Sequence, residues 1–327
     1  MILITGGMGF IGLHTAKQFL DNGHSVVLTQ YRSRREPEFL KDHIGKNLHI
    51  AHCDVRDRDA VLGVVKQYGV TDIAHLVAPP LFTLPPDEDF DTAVLGVLNM
   101  LQLSREAGVK RLTLASSGGV YAGIPAGPFR EDMPLPMDVK SPTETFKKVW
   151  EILGTHYADR TGFEVVNMRI GSIWGPLFWH GGIFPVVRPC YAAVRGDGLG
   201  EGPELFEDDE SAPCYVTDCA AGIMAVQTAD SLKHRTYNVS TDVAVTNRRI
   251  IQAIQKVVPE FEISLSPGTG PRNRPSPNFD TTRLREDTGF VAKYDIDAAV
   301  AEYIAWLREH PEESMTGAGQ HSPAEPH

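Results

Sequence analysis

Cysteine is scarce in this chain: four of 327 residues, at positions 53, 190, 214 and 219, with no CxxC pair among them. That usage argues against a disulfide-stapled secreted scaffold or a cysteine-rich metal module and suits reduced thiols in a core. No apolar run reaches the length that a bilayer requires, and the first residues already read as a strand rather than a signal peptide, so a cytoplasmic protein is expected. Basic residues are in deficit, 31 against 42 acidic, for a formal charge of −11. That balance argues against a nucleic-acid or membrane-surface role. Internal repeats are also missing, and the length allows one large α/β unit or a nucleotide domain with a smaller partner.

What is present begins at once. The apolar run Met1-Ile2-Leu3-Ile4 enters Thr5-Gly6-Gly7-Met8-Gly9-Phe10-Ile11-Gly12, and a helical pattern follows toward Gly23. Strand, glycine turn and helix in that order form a dinucleotide cradle. Gly6 allows the tight bend, Gly9 lets the backbone approach a pyrophosphate, and Gly12 lets helix pack on strand, with the helix N-terminus facing the phosphates. The second strand, 25–29, ends without the acid that would accept hydrogen bonds from a free ribose 2′-hydroxyl. Gln30 stands there, then Tyr31, Arg32, Ser33, Arg34 and Arg35. Guanidinium groups suit a 2′-phosphate, so the cofactor is NADP or NAD, leaning to NADP through Arg32.

Strands at 48–52, 72–77, 111–115 and 164–169 alternate with helices at 59–68, 91–107 and 141–161. This predicts an α/β fold, a doubly wound parallel sheet of Rossmann type with its ligand crevice beyond the carboxyl ends of the strands. A dinucleotide-binding domain is assigned to 1–176, with 214–244 returning to it. A smaller C-terminal substrate-binding region takes 177–213 and 245–311, and 312–327 reads as a disordered tail.

Several blocks in order carry a resemblance: TGGMGFIG, HCDVRD (52–57), AHLVAPP (74–80), LASSGGVYAG (114–123), MRIGSIWGP (168–176), CYVTDCAAG (214–222) and YNVSTD (237–242). Over most of its length the chain resembles the extended short-chain dehydrogenase/reductase family, in particular the NAD(P)-dependent epimerase/dehydratases of sugars and nucleotide sugars. The likeness implies that Asp54 and Val55 flank the adenine and that Leu76, Val77 and Ala78 line the cofactor. Phe10, Ile11, Ile170 and Ser172 complete that set, Ser117 is the catalytic serine, and a homodimer is expected.

One station departs from the family pattern. Similar proteins carry a tyrosine four residues before a lysine, with a glutamate four residues after it. Here Ser141-Pro142 precede Thr143, Lys147 follows, and Glu151 comes next at the same spacing. Lys147 is the ribose-binding lysine in this register; aligning on Lys148 loses the glutamate. A phenol beside an ammonium can exchange a proton near neutrality, whereas an aliphatic hydroxyl titrates far too high. Ala93 and Ser172 also stand where the family commonly has asparagine. Candidate catalytic residues are therefore Ser117, Thr143, Lys147 and His180, the last because its imidazole titrates in the useful range. Tyr121 and Glu144 are nearby, and Tyr121 reads as a packing residue.

His49, His52 and Cys53 do not share one strand face, so no metal is assigned. The run Glu207-Asp208-Asp209-Glu210 reads as a solvated acidic loop. Similar proteins have an arginine near this approach to hold a diphosphate, and the negative charge here weighs against a nucleotide sugar despite Arg272 and Arg274 downstream. Two readings remain: an NAD(P)-dependent oxidoreductase or epimerase/dehydratase of a sugar-like or other polar small molecule with atypical proton transfer, and an NADP(H)-binding sensor or interaction protein without hydride chemistry.

Overall fold

The computed structural model describes residues 1–31, 38–78, 84–178 and 185–315. The expected contributors Arg32 and His180 lie outside the described residues, as does 316–327.

The chain runs β1 (Ile2–Thr5), α1 (Phe10–Asp21), β2 (Val26–Gln30), β3 (Leu48–His52), α2 (Arg58–Gln67) and β4 (Asp72–His75). Next come α3 (Pro86–Phe90), α4 (Gly96–Glu106), β5 (Arg111–Ser117), α5 (Pro142–Thr161), β6 (Glu164–Ile170), β7 (Ser172–Trp174) and α6 (Val187–Arg195). The last part holds β8 (Glu210–Ser211), β9 (Pro213–Tyr215), α7 (Val216–Thr228), β10 (Thr236–Val239), β11 (Val245–Thr246), α8 (Asn247–Val257), α9 (Thr282–Thr288), α10 (Ile296–Glu309) and α11 (Pro311–Met315).

Seven strands form one sheet in the order β10-β6-β5-β4-β1-β2-β3, every neighbouring pair parallel. β1 is buried along its whole length, as its unbroken apolar run requires in a sheet covered on both faces. A second apolar core joins α6, α8 and α10 around Trp174, Tyr191, Ile250 and Tyr303. Among the described residues no helix is long and apolar enough to cross a membrane.

Two differences from the sequence expectation have local causes. The fourth strand stops at His75 rather than 77: the Leu76 N–H still donates to the Thr5 carbonyl at 3.0 Å, but the chain is already crossing over the glycine turn. The helix expected over 91–107 begins at Pro86 and contains a π-helical turn, Asp91–Leu95, before α4. The first residues of the tail expected from 312 are ordered. α11 is formed, and Glu313 Oε2 accepts hydrogen bonds from Trp306 Nε1 at 3.0 Å and from the Leu177 N–H at 3.2 Å.

Helix α5 carries its own boundary signals. Ser141 Oγ accepts from the Glu144 N–H at 3.2 Å, Glu144 Oε2 accepts from the Lys140 N–H at 2.9 Å, and Pro142 occupies the first turn. Gly162, with φ +71°, closes the other end. Caps of this kind fix where the helix starts, and so fix the height of Thr143 above the sheet.

Candidate active site

The glycine turn is packed so closely that side chains are excluded from it. A β-carbon on Gly6 (φ +69°) would lie 2.9 Å from the Val77 nitrogen, and one on Gly12 would lie 2.4 Å from the Gly6 carbonyl oxygen. Gly9 differs: its β-carbon would meet only the Gly6 carbonyl oxygen, at 3.1 Å, leaving that side of the turn open. Gly9 is also the N-cap of α1, with no side-chain cap and no acid in the first turn. Uncapped amides at a helix N-terminus beside an open glycine fit a pyrophosphate. Leu76 and Val77 follow β4 directly into this turn. Phe10 turns instead toward Phe178, ring centroids 5.2 Å apart.

Around Asp54, expected to flank an adenine, Arg56 holds the carboxylate at 2.7 Å and donates to the Tyr31 hydroxyl at 3.0 Å. Burial opposes ionisation of Asp54, but the Arg56 hydrogen bonds outweigh it and hold the carboxyl below its usual range. Val55 is buried against Gly96, and Asn99 Nδ2 donates to the Val55 carbonyl at 3.0 Å.

Where β5 ends, Ser117 Oγ accepts from the Gly119 N–H at 3.0 Å and starts a short 3₁₀ turn. A β-carbon built on Gly119 would be 3.3 Å from Ser117 Oγ and 3.6 Å from Thr143 Cγ2, so Ser117 and Thr143 flank the same glycine. One turn further along α5, Lys147 is buried with Nζ 3.5 Å above the Trp150 ring. Burial lowers its amine to about 7. Trp150 is pinned by a 2.7 Å hydrogen bond from Nε1 to the Ala93 carbonyl and lies 5.0 Å from the His75 ring. His75 shares a 2.7 Å hydrogen bond with Thr5 through Nδ1, and burial drops its pKa to about 3, so it is a neutral core residue. Lys148, the alternative lysine, donates instead to the Pro136 carbonyl.

Beneath these residues runs a buried polar chain that the sequence did not disclose. Glu151 accepts from Ser116 Oγ at 2.5 Å and from Arg169 Nη2 at 2.7 Å; Arg169 Nη1 reaches the Tyr121 hydroxyl at 2.9 Å. Tyr121 donates onward to Asn238 Oδ1 at 2.8 Å. Burial pushes the Tyr121 phenol up to about 12, which suits a structural hydroxyl and not a proton shuttle. The available signal was Glu151 itself: it repeats the four-residue spacing of Thr143 and Lys147, and a carboxylate on a buried helix face demands a cation.

Several expected roles are changed by these contacts. Glu144 is occupied in capping α5. Arg274 donates to the Ile124 carbonyl at 2.8 Å and lies over the Phe129 ring at 4.1 Å, so it is committed to the fold; Arg272 is exposed. The acidic run is not a solvated loop. Asp209 accepts from the Gly270 N–H at 2.7 Å, Glu210 from the Ser276 N–H at 2.8 Å, and Glu207 pairs with Arg248 at 2.9 Å. These carboxylates clamp the 266–276 segment because its turn-rich backbone leaves donors that need acceptors.

Residues 2–240 match the model of the NAD dependent epimerase/dehydratase family. The chain belongs to that family. It is 27% identical over 324 residues to a UDP-glucose 4-epimerase of Mycolicibacterium smegmatis, covering 94% of this chain and 98% of that one. It is also 27% identical over 308 residues to UDP-glucuronic acid decarboxylase 6 of Arabidopsis thaliana, covering 89% and 84%. Among solved structures, dTDP-glucose 4,6-dehydratase of Bacillus anthracis in complex with NAD is similar in fold, with TM-score 0.79 at 20% identity over 95% of this chain and 97% of that one. UDP-glucose 4-epimerase of Thermotoga maritima with UDP-glucose gives 0.77 at 22%, covering 95% and 99%. As a member of this family the chain is read as an enzyme.

Proposed function

We propose that this epimerase/dehydratase family member acts on a nucleotide-linked sugar, with proton transfer that does not use a tyrosine. The observation that carries the reading is the pairing of an open glycine cradle with Ser117, Thr143 and Lys147 at the end of β5, a dinucleotide site beside hydroxyl and amine groups. A bound nicotinamide supplies hydride exchange; Ser117 donates a hydrogen bond to the substrate oxygen, and Lys147 holds the ribose side. The 177–213 and 245–311 segments, with their own core, take the sugar nucleotide. Arg248 offsets part of the charge of Glu207 and Asp208, and Asp209 and Glu210 are turned onto backbone N–H groups, which weakens the electrostatic objection to a diphosphate. Four free, buried thiols suit a reducing cytosol.

The cofactor reading remains NADP over NAD, on the missing acid at Gln30. A homodimer is also proposed. Phe90, Leu95 and Ile152 are 57%, 42% and 59% exposed, and Phe90 meets Phe146 of α5 edge-on at 5.4 Å, so the α3–α5 face offers a second copy an apolar patch of the isologous kind.

Incubation with NAD⁺ or NADP⁺ and separate UDP-glucose, UDP-galactose, UDP-glucuronate and dTDP-glucose, followed by NMR of the sugar ring, tests the activity. Conversion of one of them is expected. Tight dinucleotide binding with no conversion of any would support the sensor reading instead.

A further inference from the structure

Leu177 stands in the left-handed backbone region, φ +69°, which is unfavourable to any residue with a β-carbon. Something nearby must hold it there. Its N–H donates to Glu313 Oε2 at 3.2 Å, and the same oxygen accepts from Trp306 Nε1 at 3.0 Å, so a carboxylate of α11 ties the 175–178 turn to α10. That turn grips α1. The Pro176 carbonyl accepts from His14 Nε2 at 2.9 Å, and the Phe178 ring meets the Phe10 ring 5.2 Å away. Phe10 is the first residue of α1, the helix whose uncapped N-terminus borders the open side of the glycine turn.

The contacts close into a ring. Trp306 meets Phe39 of the 3₁₀ turn Glu38–His43 edge-on at 6.5 Å, Phe39 faces His14 at 5.5 Å, and His14 meets Phe10 at 5.8 Å. From Glu313 through Trp306, Phe39, His14, Phe10 and Phe178 the path returns to Leu177. Burial lowers the His14 imidazole to about 4, so it is neutral and serves here as a packed ring with one donor. Leu177 and Leu76 both pack on the apolar core beneath β1 and α1, and Leu76 leads from β4 over the glycine turn.

We propose that Glu313 is a positioning residue for dinucleotide binding: it fixes the 175–178 turn and, through Phe178 and the Pro176–His14 hydrogen bond, the N-terminus of α1 on which the pyrophosphate rests. The idea rests on the cofactor reading of the glycine turn and extends the support of that site to the carboxyl-terminal helix. Without the carboxylate, the Leu177 and Trp306 N–H groups lose their shared acceptor, and Leu177 relaxes toward negative φ. Phe178 then leaves Phe10. The amides at the start of α1 no longer converge on one anion, so affinity falls where the diphosphate binds and not where the adenine does.

The test titrates the full chain with NAD⁺, NADP⁺, ADP-ribose and adenosine. Glu313→Ala should weaken the three ligands that carry a pyrophosphate by a similar factor, about 3- to 30-fold, and leave adenosine unchanged. Glu313→Gln keeps a carbonyl acceptor at the same place and should recover most of the loss. In a Leu177→Gly background, where the left-handed turn needs no hold, Glu313→Ala should weaken binding much less than it does in the wild type. Hydrogen exchange of the ligand-free protein adds a local readout: Glu313→Ala should speed exchange in 10–14 and 175–178 and leave the central strands unchanged. Equal weakening of adenosine, no recovery by Glu313→Gln, the same loss in the Leu177→Gly background, or unchanged exchange in 10–14 would each overturn the proposal. The exchange measurement needs no ligand, so failure of the wild type to bind any dinucleotide counts against the proposed function, separately from this inference.

Discussion

Arg169 of β6 and Glu151 of α5 form a buried two-pronged ion pair, 2.7 Å from Nη2 to Oε2 and 2.9 Å from Nε to Oε1. The pair ties the helix that carries Thr143 and Lys147 to the strand beside β5, and so sets the distance between those side chains and Ser117. Removing one partner leaves the other charge buried and uncompensated, which costs about 3–5 kcal/mol. Glu151→Ala is expected to lower the unfolding free energy from denaturant titration by that much, and Glu151→Ala/Arg169→Met to recover part of it. A Glu151→Ala protein with unchanged stability would show that the pair is not formed.

Phe279 is a wedge between two glycines. A β-carbon on Gly118 would sit 2.6 Å from the Phe279 Cζ, and one on Gly171 would sit 3.2 Å from Cε2 and closer still to Ser240. Gly118→Ala should therefore destabilise by about 1–3 kcal/mol through overpacking, and Phe279→Ala by about 3–5 kcal/mol through the cavity it leaves. Combining them should cost less than the sum, because the new methyl enters space the ring has vacated. Strict additivity in chemical unfolding would count against the wedge.

Much of this arrangement was legible in the sequence because it depends on short-range patterns. Ile2–Thr5 followed by spaced glycines allows little except a buried strand and a tight turn, and Ser141-Pro142 with Glu144 announces the start of α5. The Glu151–Arg169 pair and the Phe279 wedge were not legible, since they join residues separated by 18 and by more than 100 positions and no local pattern encodes which partners meet. The acidic run was misread for a related reason: its acceptors serve backbone donors about sixty residues away. The π turn before α4 escaped because its apolar spacing looks like ordinary helix.

Two buried bases make stability depend on pH in opposite parts of the scale. His75 titrates near 3 when folded and near its ordinary 6.5 when unfolded, so below about 6.5 the unfolded chain binds more protons and stability falls as pH drops. Lys147 titrates near 7 when folded and about 10.4 when unfolded, so between those values the unfolded chain again holds the extra proton and stability rises with pH. Lys147→Met should flatten the rise between about pH 7 and 10, and His75→Gln should flatten the acid limb. Parallel pH–stability curves for wild type and Lys147→Met would mean that the amine is solvated.

Cofactor choice turns on what Gln30 does not supply. Without a carboxylate at the end of β2, NAD(H) loses its usual acceptor for the ribose 2′-hydroxyl, while a 2′-phosphate avoids like-charge repulsion there. Titration by calorimetry or nicotinamide fluorescence should find NADP(H) bound more tightly than NAD(H), and Gln30→Asp should reverse the order. If NAD(H) binds tenfold or more tightly to the wild type, about 1.4 kcal/mol, the reading of this strand end is wrong.

Thr143→Tyr separates an enzyme with relocated proton transfer from a decayed dehydrogenase. The ring would enter the space beside Gly119 that Ser117 and Thr143 flank. In an enzyme adapted to threonine the substitution should not raise the rate of sugar-nucleotide conversion. In a decayed site the restored phenol should instead recover hydride transfer, with general acid/base catalysis contributing about 10²–10⁴. Single-turnover absorbance of the reduced nicotinamide, wild type against Thr143→Tyr, over the nucleotide sugars and a panel of simple alcohols and ketones, reads both outcomes. Turnover by the wild type on any of them excludes the sensor. A gain confined to Thr143→Tyr would exclude relocated proton transfer for the substrates tried.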